Sequence, residues 1–135
     1  MDYGLSFAGC EFVADGDGTY SFVAKTPGKG VTCATFVMLV LQTVGFPLLD
    51  IETWQTRPED IQWQECIMQT LRQHSGMTEQ EADLVAQDIG SVRFRPIEVA
   101  SAAQNEPWPV NFETATALAA DVMTNIANLR LQNVA

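Results

Sequence analysis

The chain has few basic residues, with 7 Lys and Arg against 17 Asp and Glu among its 135 residues. The formal net charge of −10 argues against nucleic acid or an anionic membrane surface as a partner, because both would repel it. Hydrophobic residues make up 47% of the chain and charged residues 18%, an ordinary composition for a globular protein. We therefore expect one folded domain over residues 1–135.

Cysteine is also scarce, and Cys10, Cys33 and Cys66 lie too far apart for a zinc motif. An odd number of distant cysteines favours free thiols in a reducing compartment over a disulfide framework. The first residues lack the basic region and apolar run of a signal peptide, and no apolar run is long enough to span a bilayer. These absences predict a cytoplasmic protein without a metal or cofactor.

The most distinctive stretch is an apolar run over residues 34–44, interrupted only by threonines and Gln42. A helix that is hydrophobic on nearly every side is normally buried. Thr32 is suited to cap its first turn, and Gly45 followed by Pro47 predicts its end. The side chains expected in the core are Val37, Val40, Leu41 and Val44.

The flanking segments predict an α+β fold. A strand over residues 3–13, a turn at 14–18 and a strand over 19–24 form an antiparallel hairpin, which we expect to pack on the buried helix. Residues 1–50 thus contain the hairpin and this helix, and residues 51–135 form a mainly helical second half. The further helices are expected at about residues 58–73, 78–90, 96–103 and 112–129.

Start signals support two of these helices. Thr56 and Glu59 around Pro58, and then Thr78 and Glu81, match the pattern in which a threonine and a glutamate cap each other's backbone. Residues 91–95 are either a short edge strand or an extended connector. One concern is that two strands form only a marginal sheet.

Cys33 falls in the first turn of the central helix, where free N–H groups and the helix dipole favour a thiolate. Such a thiol can be a nucleophile, and the N–H groups at Thr32 and Cys33 can receive an oxyanion. The alternative is that Cys33 is a small buried hydrophobe, as free cysteines often are.

A cysteine hydrolase needs a base near the thiol, and His74 is the only histidine in the chain. His74 is predicted at the C-terminal end of a helix, where a cation is favoured and exposure is typical. Its spacing gives no reason to place it beside Cys33, so a surface histidine is the favoured interpretation.

Other motifs are weaker. The Gly28-Lys29-Gly30 segment is too short for a phosphate-binding loop, and the turn at residues 15–18 lacks the ligand spacing of a calcium site. Arg93 and Arg95 would share one face of a strand and could hold a carboxylate or phosphate. A solvated edge is the favoured interpretation.

The segment Gly30-Val31-Thr32-Cys33-Ala34-Thr35-Phe36-Val37, preceded by a hairpin, resembles the nucleophile helix of circularly permuted papain-like cysteine hydrolases. These include NlpC-type cell-wall amidases and lecithin retinol acyltransferase-like enzymes. In that superfamily the cysteine begins a helix packed on an antiparallel sheet, between a polar residue and a small one. The resemblance covers about the first fifty residues and implies that Cys33 is the nucleophile.

In permuted members the catalytic histidine lies on a sheet strand, yet no histidine precedes Cys33 in this chain. The sequence therefore leaves two hypotheses. The first is a thiol-dependent amide or acyl hydrolase that acts on an amide- or ester-containing substrate and extends upstream of Met1, with His74 the only base available here. The second is a noncatalytic interaction or scaffold domain that retains the fold and binds a protein partner.

Overall fold

The computed structural model describes residues 2–74 and 76–132, except for the side chains of residues 131 and 132. It confirms the α+β class, with an N-terminal two-stranded antiparallel sheet and a mainly helical second half. The elements are β1 (Cys10–Ala14), β2 (Tyr20–Ala24), α1 (Cys33–Thr43), a 3₁₀ turn (Ile51–Thr53), α2 (Pro58–His74), α3 (Glu79–Ala86), α4 (Pro96–Ala102) and α5 (Phe112–Gln132).

The hairpin is shorter than predicted, because β1 begins at Cys10 rather than at residue 3. The preceding segment instead packs on the loop before α1, where the Val31 N–H donates to the Asp2 carbonyl at 3.1 Å. A side chain on Gly4 would lie 2.3 Å from the Gly30 nitrogen, so the two backbones touch. This close approach diverts the segment from the sheet.

The predicted ends of α1 are confirmed. The Thr32 hydroxyl accepts from the Thr35 N–H at 3.3 Å, and the Thr35 hydroxyl accepts from the Thr32 N–H at 2.8 Å. Gly45 follows the helix with a φ of +77°, the left-handed conformation that ends helices and favours glycine.

The expectation that α1 is buried on every side is wrong. Met38 and Leu39 are buried, and Leu41 is partly buried, but Val40 is 39% exposed and Val44 is 71% exposed. Val37 and Phe36 are exposed as well. The physical reason is that a two-stranded hairpin is narrow, so it covers α1 from one side only.

The two halves share a hydrophobic core. Ala34 and Met38 of α1 pack in one cluster with residues of the second half, which include Trp54, Phe94 and Val99. Leu49 and Val110 form an isolated parallel bridge that adds a backbone connection between distant segments. In the described part of the chain, no helix is both long and apolar enough to cross a membrane.

A buried ion cluster joins the helices of the second half. The Asp60 carboxylate, which is fully buried at the start of α2, accepts hydrogen bonds from three arginines. Arg57 lies at 2.5 Å, Arg95 at 2.9 Å and Arg93 at 3.2 Å. Three cations around one carboxylate offset much of the cost of removing it from water.

Glu98 of α4 extends this cluster. Its buried carboxylate pairs with Arg57 and also accepts the Arg95 N–H at 3.0 Å. The favoured prediction of a solvated edge for Arg93 and Arg95 is therefore wrong, and the carboxylate that they hold belongs to this chain. Residues 91–95 are an extended connector rather than a strand.

Of the two predicted capping boxes, one is confirmed. The Thr78 hydroxyl and the Glu81 carboxylate cap each other's backbone at the start of α3. Thr56 does not have this role, because α2 begins at Pro58 and the Thr56 hydroxyl donates to the Gly90 carbonyl at 3.2 Å. Asn111 caps α5 as predicted, since its side chain accepts the Thr114 N–H at 2.9 Å.

The exposure of α1 leads to a stability prediction. We expect Val40→Asp to change the free energy of unfolding by less than about 1 kcal/mol, because the new carboxylate reaches water. Met38→Asp is the matched control, since it buries an unpaired carboxylate at a cost of several kcal/mol. Urea unfolding followed by circular dichroism measures both, and an equal loss in the two variants would contradict the exposed position of Val40.

The ion cluster leads to a second prediction. Burial would raise the pKa of Asp60, but the hydrogen bonds and charges of Arg95 and Arg57 outweigh it and hold that pKa below its ordinary value. The ionised form therefore stabilises the fold above the ordinary pKa of about 3.9, and this contribution is lost as the pH falls through the lower folded-state value.

We accordingly expect Asp60→Asn to lower the free energy of unfolding by roughly 3–5 kcal/mol at neutral pH. The difference from the wild type should shrink below about pH 4. Glu59→Gln is the control, since Glu59 is exposed. A difference that stayed constant down to about pH 2 would show that ionisation of Asp60 is not its source.

Candidate functional site

The Cys33 thiol is exposed at the first residue of α1, which excludes the buried-hydrophobe alternative. Thr32 and Cys33 were the predicted oxyanion donors, but the Thr32 N–H already donates to the Thr35 hydroxyl at 2.8 Å. The N–H groups of Cys33 and Ala34 belong to the first turn of α1 and have no acceptor within the helix. No acidic residue lies in this first turn. The site therefore combines an accessible thiol with two backbone donors.

Tyr3 lies close enough to Cys33 and to Arg93 for their charges to act on its phenol. The pKa of the Tyr3 phenol lies above its ordinary value because burial raises it, while the positive charge of Arg93 lowers it and a negative charge on Cys33 would raise it. The Tyr3 hydroxyl is buried, and within the described residues it has no hydrogen-bond partner. A phenol that keeps its proton can donate a hydrogen bond, but it is a poor base at neutral pH.

Arg93 is held in place by two contacts. Its guanidinium lies over the Trp63 ring, 3.6 Å from the centroid, and it also donates to Asp60. The ion cluster thus positions a cation in the neighbourhood of Tyr3. The sequence indicated Arg93 as a possible anion-binding side chain but gave no sign that it lies near Tyr3, because Tyr3 was assigned to a strand and the two positions are about ninety residues apart.

His74 lies in the last turn of α2 and is exposed, in agreement with the surface interpretation. Over residues 2–74 and 76–132, no hydrogen bond joins His74 to Cys33. The structure therefore shows no hydrogen-bonded thiol–imidazole pair of the kind that a cysteine hydrolase uses.

The other two thiols differ in exposure. Cys10 is buried, with its sulfur 4.0 Å from the Gly30 carbonyl oxygen, and burial raises its pKa while Lys29 lowers it. Cys66 is exposed on α2. Among the described residues, no group of three or more His, Cys, Asp or Glu side chains is placed to hold a metal ion.

A second candidate site is formed by the outer side of α1 and the neighbouring Tyr20 of β2. It is here called the apolar face and consists of Tyr20, Phe36, Val37, Val40 and Val44. All five side chains are exposed. A shallow groove of about 270 Å³ runs through this face, and none of its lining residues is charged. The Phe12 ring borders the groove and packs edge-on against Phe36, at a centroid separation of 5.8 Å.

The sequence does contain a signal for this face. Phe36, Val40 and Val44 recur every four residues and therefore lie on one side of the helix. The thin hairpin implied that one side of α1 would lack a cover, but the general rule for apolar helices favoured burial. Large exposed apolar patches typically mark interaction sites.

The resemblance to papain-like hydrolases rests on eight residues around Cys33. The structure has a helix with an N-terminal cysteine beside a hairpin, and the resemblance itself stays a prediction. Comparison with protein-family models, with curated proteins and with solved structures finds no match for this chain.

Proposed function

We propose that this chain is a noncatalytic protein-binding domain and that the apolar face is its binding surface. One observation carries the proposal: α1 turns aliphatic and aromatic side chains to solvent where a globular domain would normally bury them. Covering these side chains with a partner would remove apolar area from water, which is the main driving force of protein association.

The charge distribution supports a protein partner. The chain carries a net charge of −10, yet the five residues of the apolar face are uncharged. Depletion of charge at the centre of an exposed apolar patch is typical of protein interfaces. The evidence for catalysis at Cys33 is weaker than the evidence for binding at the apolar face, since Cys33 has no imidazole partner in the described part of the chain.

Site-specific photo-crosslinking in living cells tests this proposal. A benzophenone amino acid at position 40 should form a defined crosslinked product that contains one partner species. The same group at position 65 is the matched control, because Glu65 is also exposed but lies on α2. We expect Val44→Asp to abolish the product at position 40, because it places a charge within the interface.

Equal crosslinking at positions 40 and 65, or a product that survives Val44→Asp, would overturn the proposal. Mass spectrometry of the crosslinked peptide identifies the partner residue and excludes diffuse labelling.

A thiol-dependent amide or acyl hydrolase is the second candidate, and the exposure of Cys33 favours it. In this reaction the Cys33 sulfur attacks a carbonyl carbon, and the N–H groups of Cys33 and Ala34 hold the oxyanion. The amine or alcohol leaves with a proton, and water then hydrolyses the acyl-thioester and regenerates the thiol.

Thiol labelling tests this second candidate. An activated Cys33 should react with iodoacetamide faster than Cys66, which is also a surface thiol, and the difference should persist at neutral pH. Cys10 should react slowly because it is buried. Peptide mapping over a pH series gives the three rates, and matching rates at Cys33 and Cys66 would contradict activation.

A further inference from the structure

We infer that the partner is a second copy of this chain, joined through the free edge of β2 about a two-fold axis. The inference deepens the proposed function and rests on it. The free edge and the apolar face are adjacent, because the Tyr20 side chain belongs to β2 and also lines the groove on α1.

The hydrogen bonds of the hairpin show which groups of β2 are free. The Asp15 N–H donates to the Thr19 carbonyl at 2.8 Å, and the Lys25 N–H donates to the Gly9 carbonyl at 3.1 Å. Hydrogen-bonded and non-bonded residue pairs alternate in an antiparallel ladder. The backbone N–H and C=O groups of the odd-numbered residues of β2 therefore point towards β1. The N–H and C=O groups of Tyr20, Phe22 and Ala24 therefore point away from it.

The edge of β1 is less available. The Cys10 N–H donates to the Phe7 carbonyl at 2.9 Å, so the first residue of that edge is already paired. β1 also packs against α1, whereas β2 packs chiefly on β1. An exposed edge strand is a template for pairing with another chain, and β2 has no charged residue or proline to prevent it.

The free edge of β2 is self-complementary. If two copies pair antiparallel with Phe22 opposite its symmetry mate, Tyr20 of each copy lies opposite Ala24 of the other. All three residue pairs then have their free groups aligned, and each pair can exchange two N–H···O bonds. The product is a four-stranded sheet, which is a more stable unit than a lone hairpin.

The charges at the two ends of the hairpin favour the same arrangement. Asp15 and Asp17 lie at the tip, and Lys25 lies at the base, directly after β2, where its ammonium also pairs with Glu11 of β1 at 3.0 Å. Antiparallel pairing places the acidic tip of each copy beside the exposed Lys25 of the other. Opposite charges on neighbouring strands stabilise the pairing and select its direction.

Analytical ultracentrifugation tests the inference, in about 0.15 M salt so that charges more than about 8 Å apart are screened. The wild type should show a concentration-dependent monomer–dimer equilibrium. Tyr20→Pro removes a free-edge N–H without removing a bond to β1, and it should raise the dissociation constant about tenfold or more, since the loss occurs twice per dimer. Tyr20→Thr is the matched control, because it also loses the ring but keeps the N–H.

A second variant guards against misfolding of the proline variant. Lys25→Glu places like charges at both ends of the symmetric pairing, and we expect it to weaken the dimer. This change also breaks the salt bridge of Lys25 with Glu11 inside the hairpin, so Glu11→Gln, which breaks that bridge alone, is its control and should leave the dimer unchanged. Equal dissociation constants for Tyr20→Pro and Tyr20→Thr would overturn the inference. So would a wild type that stays monomeric up to about 1 mM.

The two failures are distinguishable. A crosslink from position 40 to a different protein, together with a monomeric wild type, would reject the second copy but keep the binding function. A crosslink at position 40 no stronger than at position 65 would reject the binding function itself.

Discussion

The buried carboxylate of Asp60 is the interaction on which the second half of the fold depends. It collects Arg57, Arg93 and Arg95 from the start of α2 and from the connector before α4. Glu98 of α4 binds Arg57, and the Arg93 carbonyl accepts a hydrogen bond from the Trp54 indole at 3.1 Å. Removing any one charge would leave its partners without full compensation. The free-energy cost of that loss is larger than the net stability that the whole network provides relative to an apolar core.

Among residues 2–50, which the structure describes, no comparable ion network occurs, and the geometry of this half is limited by the width of the hairpin. Two strands cover one side of α1, so the side that carries Phe36, Val40 and Val44 remains in water. The same narrowness leaves the edge of β2 unpaired. The exposed helix face and the exposed strand edge thus have one physical cause, and pairing two hairpins would cover both.

The thiol of Cys33 lies at the N-terminus of the same helix, so hydrolysis remains a candidate function that thiol labelling can test.

Local signals in the sequence predicted much of this fold. The caps at Thr32 and Thr78 and the glycine at position 45 depend on neighbouring residues only, and the structure confirms them. Contacts between distant segments escaped prediction. The pairing of Arg95 with Asp60 spans thirty-five positions, and the packing of Gly4 on Gly30 moves the start of the first strand from the predicted residue 3 to Cys10. The predicted burial of α1 was wrong because an apolar sequence pattern indicates which side chains a helix can bury. The pattern does not indicate whether the rest of the chain is wide enough to cover them.

Amide hydrogen exchange measured by NMR at two protein concentrations tests the central claim most directly. In dilute protein, the Tyr20, Phe22 and Ala24 amides should exchange quickly, because their N–H groups point away from β1. The Ser21 and Val23 amides should be protected, because theirs point towards it. In concentrated protein the first three should also become protected. Protection of Tyr20, Phe22 and Ala24 that is already complete in dilute protein, or absent at both concentrations, would contradict the account.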